Sequence, residues 1–246
     1  MKTGAGAKRR GKGRVMELAG VRIDDFGVRE ALARAEEYLD NETVDLIETV
    51  TMKTVAAAAG DEKIRACLKE MTMVLPGDKE ILQMAGIDSE ERIREVEERL
   101  FFYEFMKLAI ERRKTFFVLS GTEKELEELL RFLRFLYGDE IDVCGQCALS
   151  SRTGEEEDLI NEINGALPGV ILSTLPSPRQ EYFLQAHKNE IHAEVWYGLS
   201  AEYDLTQSRK GLRTWLKKRE SRYQMRRQME EYEDLDDRIG GKRGNA

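Results

Sequence analysis

Few stretches of this chain combine residue types that do chemistry. Cys144 and Cys147 have the CxxC spacing found in thiol–disulfide and metal sites, and Cys67 is the one other cysteine. A four-ligand zinc site needs more thiolates or imidazoles than one such pair supplies. The two histidines, His187 and His192, stand at no ligand spacing from it, so no metal is expected. A second stretch runs from Val170 to His187. Its apolar start, Val170-Ile171-Leu172, is too short for a helix and reads as a buried strand. Pro176 and Pro178 then stop the strand, and Gln180 to His187 has helical spacing, with Pro178 where a missing N–H costs nothing. The loop at a strand's carboxyl end is where open α/β sheets usually bind ligands, although an ordinary strand–helix connection looks the same. The third stretch is the tail from Arg209 to Arg227, which carries nine cations against the single acid Glu220. With Leu212, Trp215, Leu216 and Tyr223 as a thin apolar stripe, it suits an anionic ligand or membrane surface, or a solvated helix packed by Trp215.

The elements that must position these residues follow from periodicity. Short strands are expected at Val15 to Leu18 and Val21 to Ile23, around Gly20, and at Asp45 to Thr51, Met73 to Pro76, Thr115 to Leu119, Asp139 to Cys147, and Glu194 to Tyr197. Between them lie helical patterns: one from Val28 to Leu39, one from Thr54 to Leu68 broken at Gly60, and a brief one from Ile81 to Ala85. Ser89 to Arg113 reads as one long helix, and Glu155 to Asn164 as another, ending at Gly165. Thr122, with Glu125 three residues on, predicts a capping box at the start of a helix from Glu123 to Tyr137. Strands alternating with helices predict an α/β fold, a mostly parallel sheet with helices on both faces.

Bulk properties narrow the function classes. The 246 residues suffice for a full core, and a net charge of -8 argues against nucleic acid as a partner. The basic, Gly-rich residues 1–14 are expected to be disordered, as are residues 232–246. The start does not resemble a signal peptide, and no apolar run reaches the roughly 20 residues that span a bilayer, so a cytoplasmic protein is expected.

Taken in order, several segments resemble the WecG/TagA/CpsF glycosyltransferases, which build bacterial surface polymers. Pro178-Arg179-Gln180-Glu181 is similar to the family's Pro-Lys-Gln-Glu, and Val74-Leu75-Pro76-Gly77-Asp78 to its Val-Leu-Pro-Asp-Gly. Thr49-Val50-Thr51 stands where the family has Thr-x-Asn. Phe117 to Gly121 resembles its strand ending in Gly-Gly, and Gly198 to Asp204 its Gly-Val-Gly-Ala-Ser-Phe-Asp. The resemblance spans about Val15 to Arg227. It implies a Rossmann-like domain over residues 15–208 and a basic helical appendage over 209–231.

The resemblance also implies a chemistry: an inverting, metal-independent transfer of an N-acetylhexosamine-type sugar from a UDP-sugar to a lipid-diphosphate-linked acceptor at the inner membrane face. No cofactor is implied. On this reading Asp78 is the base, and Thr49 and Gln180 position the sugar. Ser120, Gly121, Thr122, Thr51 and Arg179 lie near the nucleotide, and Arg213, Arg219 and Arg222 near the diphosphate. The protein is then peripheral at the membrane, alone, as a homo-oligomer or beside a partner transferase. Departures from the pattern keep a second outcome open. The family's catalytic aspartate falls at Gly77, one residue before Asp78, and its arginine loop has only Arg92 and Arg94 as candidates. A catalytically degenerate member would serve as a UDP-sugar-binding or partner subunit.

Overall fold

The computed structural model describes residues 14–199. The expected terminal tails, the appendage at 209–231, and Arg213, Arg219 and Arg222 lie outside the described residues. The chain opens with an antiparallel hairpin, β1 (Val15–Leu18) and β2 (Val21–Asp24). Its two turn residues, Ala19 and Gly20, have φ of 51° and 78°, as the right-handed twist of a tight hairpin requires. Asp24 fixes the hairpin to the main sheet: its Oδ2 accepts the backbone N–H of Val74 at 2.9 Å.

From there strands and helices alternate. α1 (Val28–Tyr38) leads to β3 (Asp45–Val50), then α2 (Met52–Gly60), α3 (Glu62–Glu70) and β4 (Met73–Pro76). α4 (Lys79–Met84), α5 (Glu90–Glu97) and α6 (Leu100–Glu111) precede β5 (Thr115–Ser120). α7 (Glu123–Tyr137), β6 (Asp142–Ala148), α8 (Glu156–Ala166), β7 (Val170–Thr174), α9 (Arg179–His187) and β8 (Val195–Leu199) complete it. The six main strands lie in the order β4-β3-β8-β7-β5-β6, and every neighbouring pair is parallel. Because both faces are covered, the strands read as near-continuous apolar runs rather than alternating ones.

Each face has its own core. Leu46, Val50, Trp196, Ile171, Phe117 and Leu119 point to one side, where Val55, Cys67, Leu68, Leu159, Phe183 and Leu184 of α2, α3, α8 and α9 pack on them. On the other side Tyr197 meets the rings of Phe101, Phe102 and Phe105 from α6, with centroids 5.7, 6.3 and 5.1 Å away. Trp196 and Tyr197 are both fully buried, and truncating either to alanine is expected to cost ~3–5 kcal/mol.

The continuous helix expected from Ser89 to Arg113 is instead two helices, α5 and α6. Arg99 between them adopts φ 53°, a left-handed conformation worth roughly 1–2 kcal/mol of strain for a non-glycine residue. The break turns α6 so that Phe101, Phe102, Phe105, Met106 and Ala109 are all buried, which repays that strain. Smaller differences are end effects. α8 runs through Gly165 and stops where Leu167 takes φ 50°, and residues 138–140 form a 3-10 turn ahead of β6. The last strand begins at Val195 and continues to Leu199.

β5 connects through α7 to β6 on one side, while its neighbour β7 connects through α9 to β8 on the other. Adjacent strands whose connections diverge in this way leave a crevice at their carboxyl ends.

Candidate functional site

Thr49 lies one residue before the end of β3, on the face covered by α1 and α6. It is buried, and its hydroxyl donates to Tyr197 Oη at 3.3 Å. Beside it opens a small cleft lined by Phe26, Thr49, Pro76, Arg92, Glu95 and Arg99 among others. Arg92 is held there by two carboxylates: it donates to Glu95 Oε2 at 2.6 Å and to Asp25 Oδ1 at 3.2 Å. Glu95 Oε2 also accepts the Val28 N–H at 3.4 Å. The cleft therefore combines an apolar wall with a hydroxyl, a carboxylate and a guanidinium whose charge Asp25 and Glu95 already offset, polar groups that suit a hydroxylated ligand. Arg94, the other arginine considered from the sequence, is exposed one helical face away.

Asp78 is turned elsewhere. Its Oδ2 accepts the backbone N–H of Met52 at 2.7 Å, at the start of α2, where the helix dipole favours an anion. Thr51 caps the same helix end: its hydroxyl accepts the Thr54 N–H at 3.3 Å. Gly77 lies against Thr49 instead. A Cβ added there would stand 3.1 Å from Thr49 Cγ2 and 2.8 Å from the Val50 carbonyl oxygen. The residue that follows Pro76 must thus be glycine, and the carboxylate arrives one position later, at the start of α2.

Gln180 belongs to the opposite face from Thr49. Successive residues of a strand point to opposite sides, and Gln180 reaches Glu48, not Thr49. Its Nε2 donates to Glu48 Oε1 at 2.7 Å and to Oε2 at 2.8 Å, and both residues are 1% exposed. Burial, then the nearby Glu181 carboxyl, push Glu48 well above the usual carboxylate range, while the Gln180 hydrogen bond pulls it back. Gly198 makes room for the pair, since Glu48 and Gly198 are register partners on β3 and β8.

The crevice between β5 and β7 holds the remaining positions. Ser120 Oγ and Thr174 Oγ1 are 2.8 Å apart across it, and a Cβ on Gly121 would lie 3.2 Å from Pro176 Cδ. Thr122 forms the expected capping box: its hydroxyl accepts the Glu125 N–H at 3.3 Å, and Glu125 accepts the Thr122 N–H at 2.9 Å. Arg179 is half-exposed and pairs with Glu156 at 3.2 Å.

The model of the glycosyl transferase WecG/TagA/CpsF family matches residues 16–218. The chain belongs to this family. No curated protein matches it. For a WecG/TagA/CpsF member, the structure brings Thr49 together with Pro76 and Gly77, and Asp78 together with the start of α2. Gln180 is brought together with Glu48 and Gly198. It does not set Thr49 and Gln180 on one side of the sheet. Glu48, Glu95 and Arg99 were not singled out from sequence. A charged residue inside Asp45 to Thr51, otherwise a buried strand, was the available signal for Glu48, because a buried carboxyl demands a partner.

Cys144 Sγ donates to the Phe116 carbonyl at 3.4 Å, beside an irregularity in the β5–β6 register, and burial raises both its thiol and that of Cys147. Among the described residues no group of three or more His, Cys, Asp or Glu is placed to hold a metal ion. Nor is any described helix long and apolar enough to cross a membrane.

Proposed function

We propose that this transferase moves an N-acetylhexosamine-type sugar, such as N-acetylmannosamine, from a UDP-sugar to a lipid-diphosphate-linked acceptor. The transfer serves a bacterial surface polysaccharide or teichoic acid, and it is inverting and metal-independent. The observation that carries this reading is the cleft where Thr49 and Pro76, from two family motifs far apart in sequence, meet the clamped Arg92 guanidinium. The acceptor hydroxyl attacks the anomeric carbon, the bond from that carbon to the β-phosphate oxygen breaks, and UDP departs with the electron pair. Asp78, released from the Met52 N–H, takes the hydroxyl proton, and Thr49 and Gln180 meet the sugar at the carboxyl edge of the sheet from its opposite faces. Backbone N–H groups near Ser120, Gly121 and Thr122, together with Thr51, Arg179, Arg213, Arg219 and Arg222, offset charge on the diphosphate. The acceptor places the protein at the inner face of the membrane, with the basic stretch 209–231 drawn to anionic headgroups.

One observation favours a second reading, a UDP-sugar-binding or partner subunit without turnover. Gly77 excludes a side chain at the position of the family's aspartate, and Asp78 is tied to the Met52 N–H. Calorimetry with UDP and a transfer assay with UDP-N-acetylmannosamine separate the two. Binding and turnover, with turnover lost in Asp78→Asn, is the expected result. Binding without turnover supports the subunit, and the absence of binding defeats both.

A further inference from the structure

Glu48 is a buried ionisable group that the reaction above leaves unused. Its contact with Gln180 requires bare backbone on the neighbouring strand: a Cβ on Gly198 would stand 2.1 Å from Glu48 Oε2 and 2.6 Å from Gln180 Nε2. β3, β8 and α9 are thus all shaped around one carboxyl–amide pair. As a simple cross-link the pair is a poor choice, since packed apolar side chains in place of buried ionisable groups are often neutral or stabilising.

The pair does one thing that apolar residues cannot do. With Nε2 turned to both carboxyl oxygens, the Gln180 carbonyl oxygen is held away from Glu48. That oxygen is enclosed and has no hydrogen-bond partner among the described residues. A buried acceptor left in this state is uncommon and costly, and an incoming O–H or N–H relieves the cost. Gln180 lies in the first turn of α9, directly after the loop at the carboxyl end of β7. The side chain is 1% exposed, so contact with a ligand requires that loop to move.

We propose that Glu48 is a positioning residue: by fixing the Gln180 amide in one orientation, it makes Gln180 a pure acceptor that selects donor sugars presenting an N–H or O–H at that point. The inference rests on the transferase reading and names how its sugar specificity is set.

Calorimetry on the full chain tests it, with UDP and UDP-N-acetylmannosamine as probes and circular dichroism to confirm folding. Wild type is expected to bind the UDP-sugar more tightly than UDP. Glu48→Met, which keeps volume but removes the acceptor, is expected to weaken UDP-sugar binding about tenfold and leave UDP binding within about twofold. Glu48→Gln, whose amide donates as well as accepts, is expected to fall between the two. Equal UDP-sugar affinity in folded Glu48→Met and wild type overturns the inference while leaving the transferase reading intact. Should Glu48→Met not fold, Glu48→Gln decides: unchanged UDP-sugar affinity overturns the inference, and a sugar-specific loss supports it. A wild-type protein that binds neither probe overturns the transferase reading itself, and the inference with it.

Discussion

Gly77 donates its backbone N–H to the Val50 carbonyl oxygen at 2.7 Å, so the turn after β4 is locked onto the end of β3. The same closeness leaves no space for a side chain, because the nearest atom to a Cβ would be that backbone oxygen, at 2.8 Å. Restoring the family's residue order by Gly77→Asp is therefore expected to destabilise, by ~2 kcal/mol or more, instead of rescuing anything. A denaturant melt of the variant against wild type measures this directly.

Asp78 has two separable jobs on this geometry. Asp78→Asn keeps an oxygen for the Met52 N–H, so its stability is expected to stay within about 1 kcal/mol of wild type. If the carboxylate also takes the acceptor proton, the same variant loses transfer by roughly 10²-fold or more. Asp78→Ala removes both and is expected to cost ~1 kcal/mol of stability as well. Parallel melts and transfer assays on the two variants resolve the roles; equal activity in wild type and Asp78→Asn removes Asp78 as the base.

What the sequence made legible was local. The Thr122–Glu125 spacing predicted its capping box, and the alternation of apolar runs with helical patterns predicted a parallel sheet covered twice. The break at Arg99 was hidden because nothing in a charged helical pattern marks a left-handed residue, and the reason for it, burial of three phenylalanines against Tyr197, is tertiary. Glu48 was hidden differently. Its partner lies 132 residues away, and the clue that the two meet is a glycine on a third element. Motif order could suggest Thr49 and Gln180 as site residues, yet not that they point to opposite faces, which depends on strand register.

Gly198 supplies a test of that register. Gly198→Ala forces a methyl group onto both Glu48 and Gln180 within a fully buried strand. Both side chains must shift to admit it, so a loss of ~1–3 kcal/mol is expected. Soluble yield and thermal midpoint report it; a variant as stable as wild type would mean that Glu48 and Gln180 do not pack on Gly198 as tightly as this register implies.

Thr122 separates a cap from a nucleotide contact. Its hydroxyl accepts the Glu125 N–H at 3.3 Å, so Thr122→Ala is expected to cost ~1 kcal/mol. If the hydroxyl also meets the nucleotide, UDP affinity falls in the same variant. If capping is its whole role, UDP binding is unchanged at a temperature where both proteins are folded, and Thr122 leaves the set of binding residues.

His187 links α8 to α9 and makes stability depend on pH. Its Nδ1 lies 2.9 Å from Glu190 and its Nε2 3.0 Å from Glu156, whose other oxygen pairs with Arg179. A ring flanked by two carboxylates must donate from both nitrogens, which only the imidazolium can do. Burial works against that charge, but the hydrogen bonds to Glu190 and Glu156 outweigh it, and the folded-state pKa is raised. A raised folded value means that the stabilisation is fully present below the unfolded-state pKa of about 6.5 and is lost as pH rises through the folded value. The thermal midpoint of wild type is thus expected to fall as pH is taken upward from about 6.5, and that of His187→Gln to show a flatter profile over the same span. Identical profiles for the two proteins would mean that the ring is not charged between its two acids.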